Sequence, residues 1–383
     1  MPYPRLGTLT ITEAELQALG REQRISADSH MAEPPDLWER RLPAAYKHRA
    51  LRFPYLDLGK NHLRTGGWDP HERLKDQAFD GISAEVLYPT LGTQAWVTGD
   101  VELEEACCRA YNDWMIEFCS VAPHRFWGLA MISLWNIDHA VSELTRCHRA
   151  GLRGADIGLV PAEDLPYSSE HYEPFWAACE QLGMPVNMHI GSGPGRIKFS
   201  PQKRSGLIPD GTAGHKWDCM NAVGNMIAAG VMERYPGLNV VVAEAGVGWI
   251  PFFAQEFDYY QVTFGPSDAN LGKQRGLPRD PSEYIYRQVY GAFISDVVGG
   301  KLLADYGKDT FMWSNDYPHA ACIWPGATQF IAQDIGHLTP DDRAKVLCKN
   351  AARLYNHGEL PPPADPPGDV QDMTEWNRVH WHE

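Results

Sequence analysis

Seven side chains of the kinds that bind divalent metals lie within or just after short apolar runs of the sequence. They are Asp28, His30, Glu33, His189, Glu244, Asp316 and His319. Neutral imidazole and ionised carboxylate are ligands for divalent transition metals, and strand ends hold them rigidly enough to fix a coordination geometry. Asp28 and His30 are two residues apart, so they point the same way on a strand. The pattern predicts one metal site assembled from four separate stretches of chain.

Eight apolar runs, bounded by Gly, Pro, Asp or Asn, predict buried parallel strands. They are 25–30, 82–89, 126–133, 152–157, 185–190, 239–244, 291–294 and 311–316. Amphipathic stretches predict helices over 102–121, 138–150, 173–182, 217–235, 249–260 and 298–306. Alternation of eight strands with helices predicts an α/β fold, a distorted (β/α)8 TIM barrel with long insertions after strands 1 and 5. The barrel is expected over 25–356, after an N-terminal extension at 1–24 and before a Pro-rich tail at 357–383.

An open doubly wound sheet is the alternative fold. Such a sheet normally has a glycine-rich phosphate turn after its first strand, where this chain has His30 and Glu33 instead. The glycine-rich segment 191–195 follows strand five, but no helical pattern begins directly behind it. A lone glycine-rich loop is weak evidence for a phosphate site, so the barrel is favoured.

Composition excludes several classes of partner. The 383-residue chain has a formal net charge of −15, whereas surfaces that bind nucleic acid or anionic membrane concentrate Lys and Arg. The N-terminus lacks the pattern of a signal peptide and no apolar run is long enough to span a membrane, so a cytoplasmic protein is expected. The eight cysteines have no CxxC spacing and are expected to be reduced core residues.

The motifs DSHMAEPPDLWERRLP, MHIG, WSNDYPH and NAARLY together resemble the amidohydrolase superfamily. They are most similar to its branch of metal-dependent hydrolases and decarboxylases related to aminocarboxymuconate semialdehyde decarboxylase and the hydroxybenzoate decarboxylases. The resemblance extends over residues 25–356 and implies metal ligands at Asp28, His30, His189 and Asp316. The family commonly has His where this chain has Glu244, which argues against a direct transfer of the decarboxylase mechanism.

The number of carboxylates raises the question of metal stoichiometry. Four carboxylates at one barrel mouth, those of Asp28, Glu33, Glu244 and Asp316, would raise one another's pKa strongly. Two divalent ions would neutralise them, so a dinuclear centre of Zn, Fe or Mn is favoured over a single ion. The proposed division of the ligands places Asp28, His30, His189 and Asp316 around one ion, and Glu33, Glu244 and His319 around the other. In the mononuclear alternative, Glu33 and Glu244 support the site or act as bases and His319 contacts substrate.

Several other residues have two interpretations each. Asp156 ends strand four, where dinuclear amidohydrolases often carry a bridging lysine that this chain lacks; it either contacts substrate or caps a loop. His62, His71 and His215 are better explained as exposed loop residues than as pocket residues. Basic side chains at Arg196 and Lys198 could bind a substrate carboxylate but are usually solvated. Three aromatic residues, Trp68, Trp96 and Trp324, lie in segments expected to border the mouth.

These observations favour a metal-dependent hydrolase of a small organic substrate. A metal-activated water would attack, with Asp316 as the base, Glu244 as the second candidate, and His319 orienting substrate. Non-oxidative decarboxylation of an aromatic acid and di-iron or Mn/Fe oxygen chemistry, as in proteins similar to isobutylamine N-hydroxylase subunits, are enzymatic alternatives. A catalytically idle partner subunit is a further one. The chain is expected to form a homo- or hetero-oligomer and to bind neither nucleic acid nor membrane.

Overall fold

Eight parallel strands form one sheet in sequential order in the computed structural model, whose described residues are 12–51, 64–195, 210–265, 277–319 and 321–366. The strands are β1 Arg24–His30, β2 Ile82–Tyr88, β3 Phe126–Met131, β4 Gly154–Gly158, β5 Val186–His189, β6 Val240–Ala243, β7 Val289–Phe293 and β8 Phe311–Trp313. Helices lie between them, so the predicted (β/α)8 barrel is confirmed, as are the long segments after β1 and β5.

Fourteen α-helices occur in the described part of the chain. They are α1 Glu13–Gly20, α2 Leu37–Arg41, α3 Pro70–Phe79, α4 Val101–Ser120, α5 Ile137–Arg149, α6 Glu173–Leu182, α7 His215–Ala228, α8 Val231–Arg234, α9 Trp249–Phe264, α10 Pro281–Gln288, α11 Val297–Tyr306, α12 Ala327–Ile335, α13 Pro340–Ala344 and α14 Asn350–Tyr355. Short 3₁₀ turns lie at Lys47–Arg49, Thr65–Gly67, Leu91–Val97 and Glu170–Tyr172, and π-helical turns at Asp210–Gly214 and Lys345–Lys349.

The barrel closes through the segment that follows β8. The backbone N–H of Asp316 donates to the carbonyl of Asp28 at 3.0 Å, and the N–H of His30 donates to the carbonyl of Tyr317 at 2.7 Å. A sequence-based strand over 311–316 is therefore too long, because regular pairing with β7 ends at Trp313. Residues 314–317 instead form the seam with β1, which brings Asp316 beside Asp28.

Alternation along the strands separates two apolar layers. The barrel interior contains Ile25 and Ala27 of β1, Val86 of β2, Trp127 of β3 and Val241 of β6, all fully buried. The other faces of the strands pack against the surrounding helices in a second, larger cluster. Side chains from α14 and the turn before it fill the amino-terminal end of the barrel and complete the interior layer. The candidate functional side chains lie at the opposite, carboxyl-terminal end of the barrel.

Three local features differ from the sequence-based expectations. The helix predicted over 217–235 is divided into α7 and α8 at Gly230, whose φ of 75° is readily adopted only by glycine. Strand β6 ends at Ala243, so Glu244 is the first residue beyond it. Glu244 and Asp316 both have left-handed backbones, with φ of 60° and 57°. Left-handed non-glycine residues cost about 1–3 kcal/mol each and concentrate at functional sites, where the surrounding structure holds them.

The remaining sequence-based expectations concern the surface and the cysteines. Seven cysteines are buried, Cys322 is partly buried, and all eight are unbridged, as expected of reduced core residues. The described start of the Pro-rich tail packs on the barrel, where Arg125 donates to the carbonyls of Pro362 and Pro363. Among the described helices, none combines the length and apolar character needed to cross a bilayer.

Candidate metal centre

Asp28, His30 and His189 converge at the carboxyl-terminal end of β1 and β5. Their potential ligand atoms all lie within 4.8 Å of one another. The Nε2 atoms of the two histidines are 3.0 Å apart, and Oδ1 of Asp28 lies 3.4 Å from Nε2 of His30 and 3.8 Å from Nε2 of His189. All three side chains are buried, so the structure brings together the ligands predicted on strands one and five.

A second group shares His30 with the first. It contains His30, Glu244, Asp316 and His319, again with potential ligand atoms within 4.8 Å of one another. Oδ1 of Asp316 lies 3.4 Å from Nε2 of His30 and 3.2 Å from Nδ1 of His319, while Oε2 of Glu244 lies 3.1 Å from Nε2 of His189. Six of the seven predicted ligands therefore lie in one connected cluster.

The donor set of this cluster fits a divalent cation. Nδ1 of His30 lies 3.1 Å from the carbonyl of Pro89, and Nδ1 of His189 lies 2.9 Å from that of Ile190. A carbonyl can only accept, so in the neutral rings Nδ1 carries the proton and each Nε2 presents a lone pair to the centre. Both carboxylate oxygens of Asp28 and of Asp316 are buried without a hydrogen-bond partner. Unpaired buried carboxylates facing imidazole lone pairs are costly unless a cation lies between them.

The side chains of the cluster differ in the direction in which their pKa values are shifted. Burial raises the pKa of Asp28 to about 6. Burial, with the nearby charges of Glu244 and Asp28, raises the pKa of Asp316 well above its usual range. Burial lowers the pKa of His319 to about 4 and also lowers the pKa of His30 well below its ordinary value. His189 is the exception: the carboxylates of Asp28 and Glu244 outweigh burial and raise its pKa to about 10. Without a cation, the surroundings favour the protonated acid at Asp316 and the protonated imidazole at His189, whereas Glu244 favours its ionised form.

Glu33 lies apart from both groups. Its Oε1 accepts from the backbone N–H of Thr90 at 2.9 Å and of Gly92 at 3.0 Å, and its Oε2 accepts from that of Leu91 at 3.0 Å. Thr90 in turn places Oγ1 2.8 Å from Nε2 of His319. Glu33 therefore fixes the turn after β2 and, through Thr90, the orientation of His319.

A buried ion-pair network that the sequence analysis missed supports the β1 side of the centre. Arg73 on α3 is fully buried; its Nε donates to Oε2 of Glu85 at 2.6 Å, and its Nη1 donates to the carbonyl of His30 at 2.9 Å. The guanidinium also lies 4.4 Å from the ring centre of Tyr317. Ser29 completes the network by donating from Oγ to Oε1 of Glu85 at 3.1 Å. The arginine is 43 residues from His30 in sequence, so no local pattern identifies it.

Asp156 of β4 points into the barrel below the cluster. It is fully buried, neither carboxylate oxygen has a hydrogen-bond partner, and burial raises its pKa well above the ordinary value. It belongs to neither metal-competent group among the described residues. A loop cap would accept a backbone N–H, and neither oxygen of Asp156 does so from any described residue.

The other residues singled out from the sequence are dispersed. His71 is exposed on α3, whereas His215 contributes to the electrostatics of Glu244. Trp68 is partly exposed, Trp96 donates to the carbonyl of Ile132, and Trp324 donates to that of Asp76. None of these tryptophans lines the cavity that Glu244 borders. His62, Arg196 and Lys198 lie outside the described residues.

Comparison with known proteins identifies the family. The family model described as amidohydrolase matches residues 28–357, and the chain belongs to this family of metal-dependent enzymes. The resemblance inferred from the motifs is thereby confirmed.

Relatives within the family include two gamma-resorcylate decarboxylases. The Rhodococcus jostii protein is 28% identical over 270 residues, covering 64% of this chain and 75% of the relative. The protein from Rhizobium sp. is 25% identical over 355 residues, covering 87% and 98%. A solved dihydroxybenzoic acid decarboxylase from Polaromonas, with bound manganese and the inhibitor 2-nitroresorcinol, superimposes with a TM-score of 0.64 at 19% identity, covering 88% of this chain and 98% of that one. These relatives are decarboxylases, the activity given in the sequence analysis as an alternative to hydrolysis, and none of them is a hydrolase or an oxygenase.

Proposed function

We propose that this protein is a metal-dependent, non-oxidative decarboxylase of a small aromatic or vinylogous carboxylic acid. The observation that carries the proposal is its similarity to gamma-resorcylate decarboxylase over almost the full length of that relative. The cluster at the barrel mouth supports it, because decarboxylation needs a group that anchors a carboxylate and an acid that protonates carbon. Decarboxylation requires no oxidant and no water-derived nucleophile.

We propose Asp28, His30, His189 and Asp316 as the ligands of one divalent ion. They supply the two unpaired carboxylates and the two facing imidazoles. A second ion would have to rely on Glu244 and His319, because both oxygens of Glu33 already accept backbone hydrogen bonds. We therefore favour one ion over the two inferred from charge alone. Manganese, present in the solved relative, is the first ion to test.

The ion would supply Lewis-acid polarisation of a substrate carboxylate and neighbouring hydroxyl. Asp316 is the proposed proton donor, since its carboxyl group is fully buried at the centre of the cluster and neither of its oxygens has a hydrogen-bond partner. Proton transfer to the ring carbon that bears the carboxylate interrupts conjugation. The carbon–carbon bond then breaks, its electron pair returns to the ring, and carbon dioxide leaves. The neutral imidazole of His319 lies beside Asp316 and is oriented by Thr90, so it is placed to contact a substrate hydroxyl.

Glu244 replaces the histidine that the family commonly has on strand six. Its carboxylate lies 3.1 Å from Nε2 of His189, and its pKa is lowered by that histidine despite burial. An ionised carboxylate here accepts protons rather than donating them at neutral pH. We propose that Glu244 orients His189 or accepts a substrate hydroxyl proton, and that proton donation rests with Asp316.

The proposal is tested with manganese-reconstituted protein and a panel of hydroxybenzoic acids that includes 2,6-dihydroxybenzoate. We expect carbon dioxide release with stoichiometric formation of the matching phenol, and no dependence on oxygen. The matched control variant is His71→Ala, whose side chain is exposed on α3 and should not change turnover. Metal-loaded protein that releases no carbon dioxide from any member of the panel, but cleaves esters or amides, would replace decarboxylation by hydrolysis.

A further inference from the structure

A cavity of about 530 Å³ opens beside Glu244 and is formed by the loops after β6, β7 and β8 together with α7. A volume of this size is typical of small-molecule sites. Glu244 also belongs to the ligand cluster, so the cavity adjoins the proposed metal centre at this residue. Its lining is mainly apolar and includes Trp249, Ile294 and Ile323. The indole N–H of Trp249 donates to the carbonyl of Gly246 at 3.0 Å, which fixes the ring. Such a lining suits a planar, aromatic substrate.

Two charged residues besides Glu244 line this cavity. Asp296 is fully engaged in shaping the wall: its Oδ2 accepts from the backbone N–H of Val247 at 2.7 Å and of Gly248 at 2.8 Å, and its Oδ1 accepts from that of Gly299 at 2.7 Å. Lys216 is the one cationic residue among the described residues of the lining. Its Nζ donates to the carbonyl of Gly211 at 2.7 Å and forms no ion pair with any described residue. An ammonium group has three donors, so at least one remains for a ligand.

Lys216 lies in the first turn of α7, directly after the π-helical turn Asp210–Gly214, and its hydrogen bond to Gly211 connects it to that turn. It does not pair with Asp296 or Glu244, the two acids in the same cavity. A cation that lines a mainly apolar cavity and forms no ion pair with the acids there is placed to bind an anion.

We propose that Lys216 binds a second anionic group of the substrate, so that the preferred substrates are aromatic dicarboxylates rather than monocarboxylates. One carboxylate reacts at the metal centre and the other pairs with Lys216, while the ring lies against Trp249. This inference rests on the proposed function for the identity of the reacting carboxylate. It goes beyond that function by assigning specificity to a residue outside the ligand cluster.

The test is calorimetric binding of two probes to the manganese-loaded protein. The probes are isophthalate (benzene-1,3-dicarboxylate) and 3-carbamoylbenzoate, which has nearly the same shape but a neutral amide in place of one carboxylate. We expect isophthalate to bind about tenfold more tightly, the ratio for one charge-assisted hydrogen bond at a partly solvated site. Lys216→Met should remove this preference and Lys216→Arg should retain part of it. Lys301→Met, a matched loss of charge at an exposed position on α11, should leave it unchanged.

The outcomes separate the two proposals. Equal binding of both probes, undetectable binding of either, or a preference that survives in a folded Lys216→Met protein overturns the role of Lys216. Carbon dioxide release from 4-hydroxyisophthalate and from 2,6-dihydroxybenzoate is measured on the same preparations. A Lys216-dependent preference without any carbon dioxide release supports the anion site and rejects the decarboxylase. Carbon dioxide release from 2,6-dihydroxybenzoate without tighter binding of isophthalate supports the decarboxylase and rejects the anion site at Lys216. Thermal unfolding of each variant confirms that it is folded.

Discussion

The two sides of the barrel mouth hold the ligand cluster in different ways. On the β1 and β8 side, Asp28 and Asp316 are fully buried, and a buried arginine and the β1–β8 backbone seam secure the chain around them. On the β5 and β6 side, Glu244 is about one-fifth exposed and borders the cavity. A metal enzyme needs ligands held in a fixed geometry and an opening through which substrate reaches them, and the two sides of the mouth supply one each. Chemistry is therefore expected to depend on the β1–β8 side and selectivity on the β5–β6 side.

The largest expected effect comes from the proton donor on the buried side. Asp316→Asn removes the transferable proton but keeps the size of the side chain, and asparagine tolerates the left-handed backbone at this position. We expect turnover of an accepted hydroxybenzoate to fall by about 10²–10⁴-fold, the usual contribution of a general acid. Stopped assays of phenol formation, with metal content measured in parallel, check this. A variant with normal metal content and more than a tenth of the parental turnover would assign the proton to another group.

The second prediction concerns the support of the buried side. Arg73→Met leaves the carboxylate of Glu85 buried without its guanidinium, and breaking a buried pair in this way costs about 3–5 kcal/mol. We expect a lower unfolding midpoint in denaturant and weaker metal binding, since Arg73 also holds the carbonyl of His30. The double variant Arg73→Met/Glu85→Gln should recover much of the lost stability. If the double variant is as unstable as the single one, packing rather than charge accounts for the loss.

Glu33→Gln distinguishes an anchor from a ligand. The amide nitrogen of glutamine cannot accept, so at least one of the three backbone N–H groups after β2 loses its partner, at a cost of about 1–3 kcal/mol. We expect a modest loss of stability and a metal-to-protein ratio equal to that of the parent protein. Loss of about one metal equivalent would instead restore the dinuclear assignment made from the sequence.

The smallest effect is expected away from the metal centre, at Glu104 on α4. Burial raises the pKa of this carboxyl to about 7, and its Oε2 accepts from Nε1 of Trp135 at 3.1 Å. The pKa of Glu104 is higher in the native state than in the unfolded state. The protonated acid therefore stabilises the native state fully below the unfolded pKa, and this stabilisation is lost as pH rises through about 7. Glu104→Gln should therefore be more stable than the parent by about 1–2 kcal/mol above pH 7 and nearly equal to it near pH 4. Denaturation midpoints across this range provide the measurement. A constant difference would show that the acid does not titrate there.

The sequence by itself determined the barrel and the residue types at its mouth. Periodic apolar runs give the strands, and the two-residue spacing of Asp28 and His30 predicts that they share a face. These are local properties, so they can be recognised without knowing how the chain closes. Charge counting placed Glu33 with the ligands, and the structure adds that backbone N–H groups after β2 donate to its carboxylate. A count of acids cannot show which backbone donors will lie beside them.

Only the tertiary structure decided the contacts between distant parts of the chain. It placed Asp316 beside Asp28 through the β1–β8 seam, brought Arg73 to the carbonyl of His30, and put Lys216 in the wall of the cavity next to Glu244. The local spacing of residues in the sequence predicts none of these contacts, because each depends on the closure of the sheet and the packing of helices outside it. The sequence therefore specified the chemical groups of the site, and barrel closure determined which of them meet.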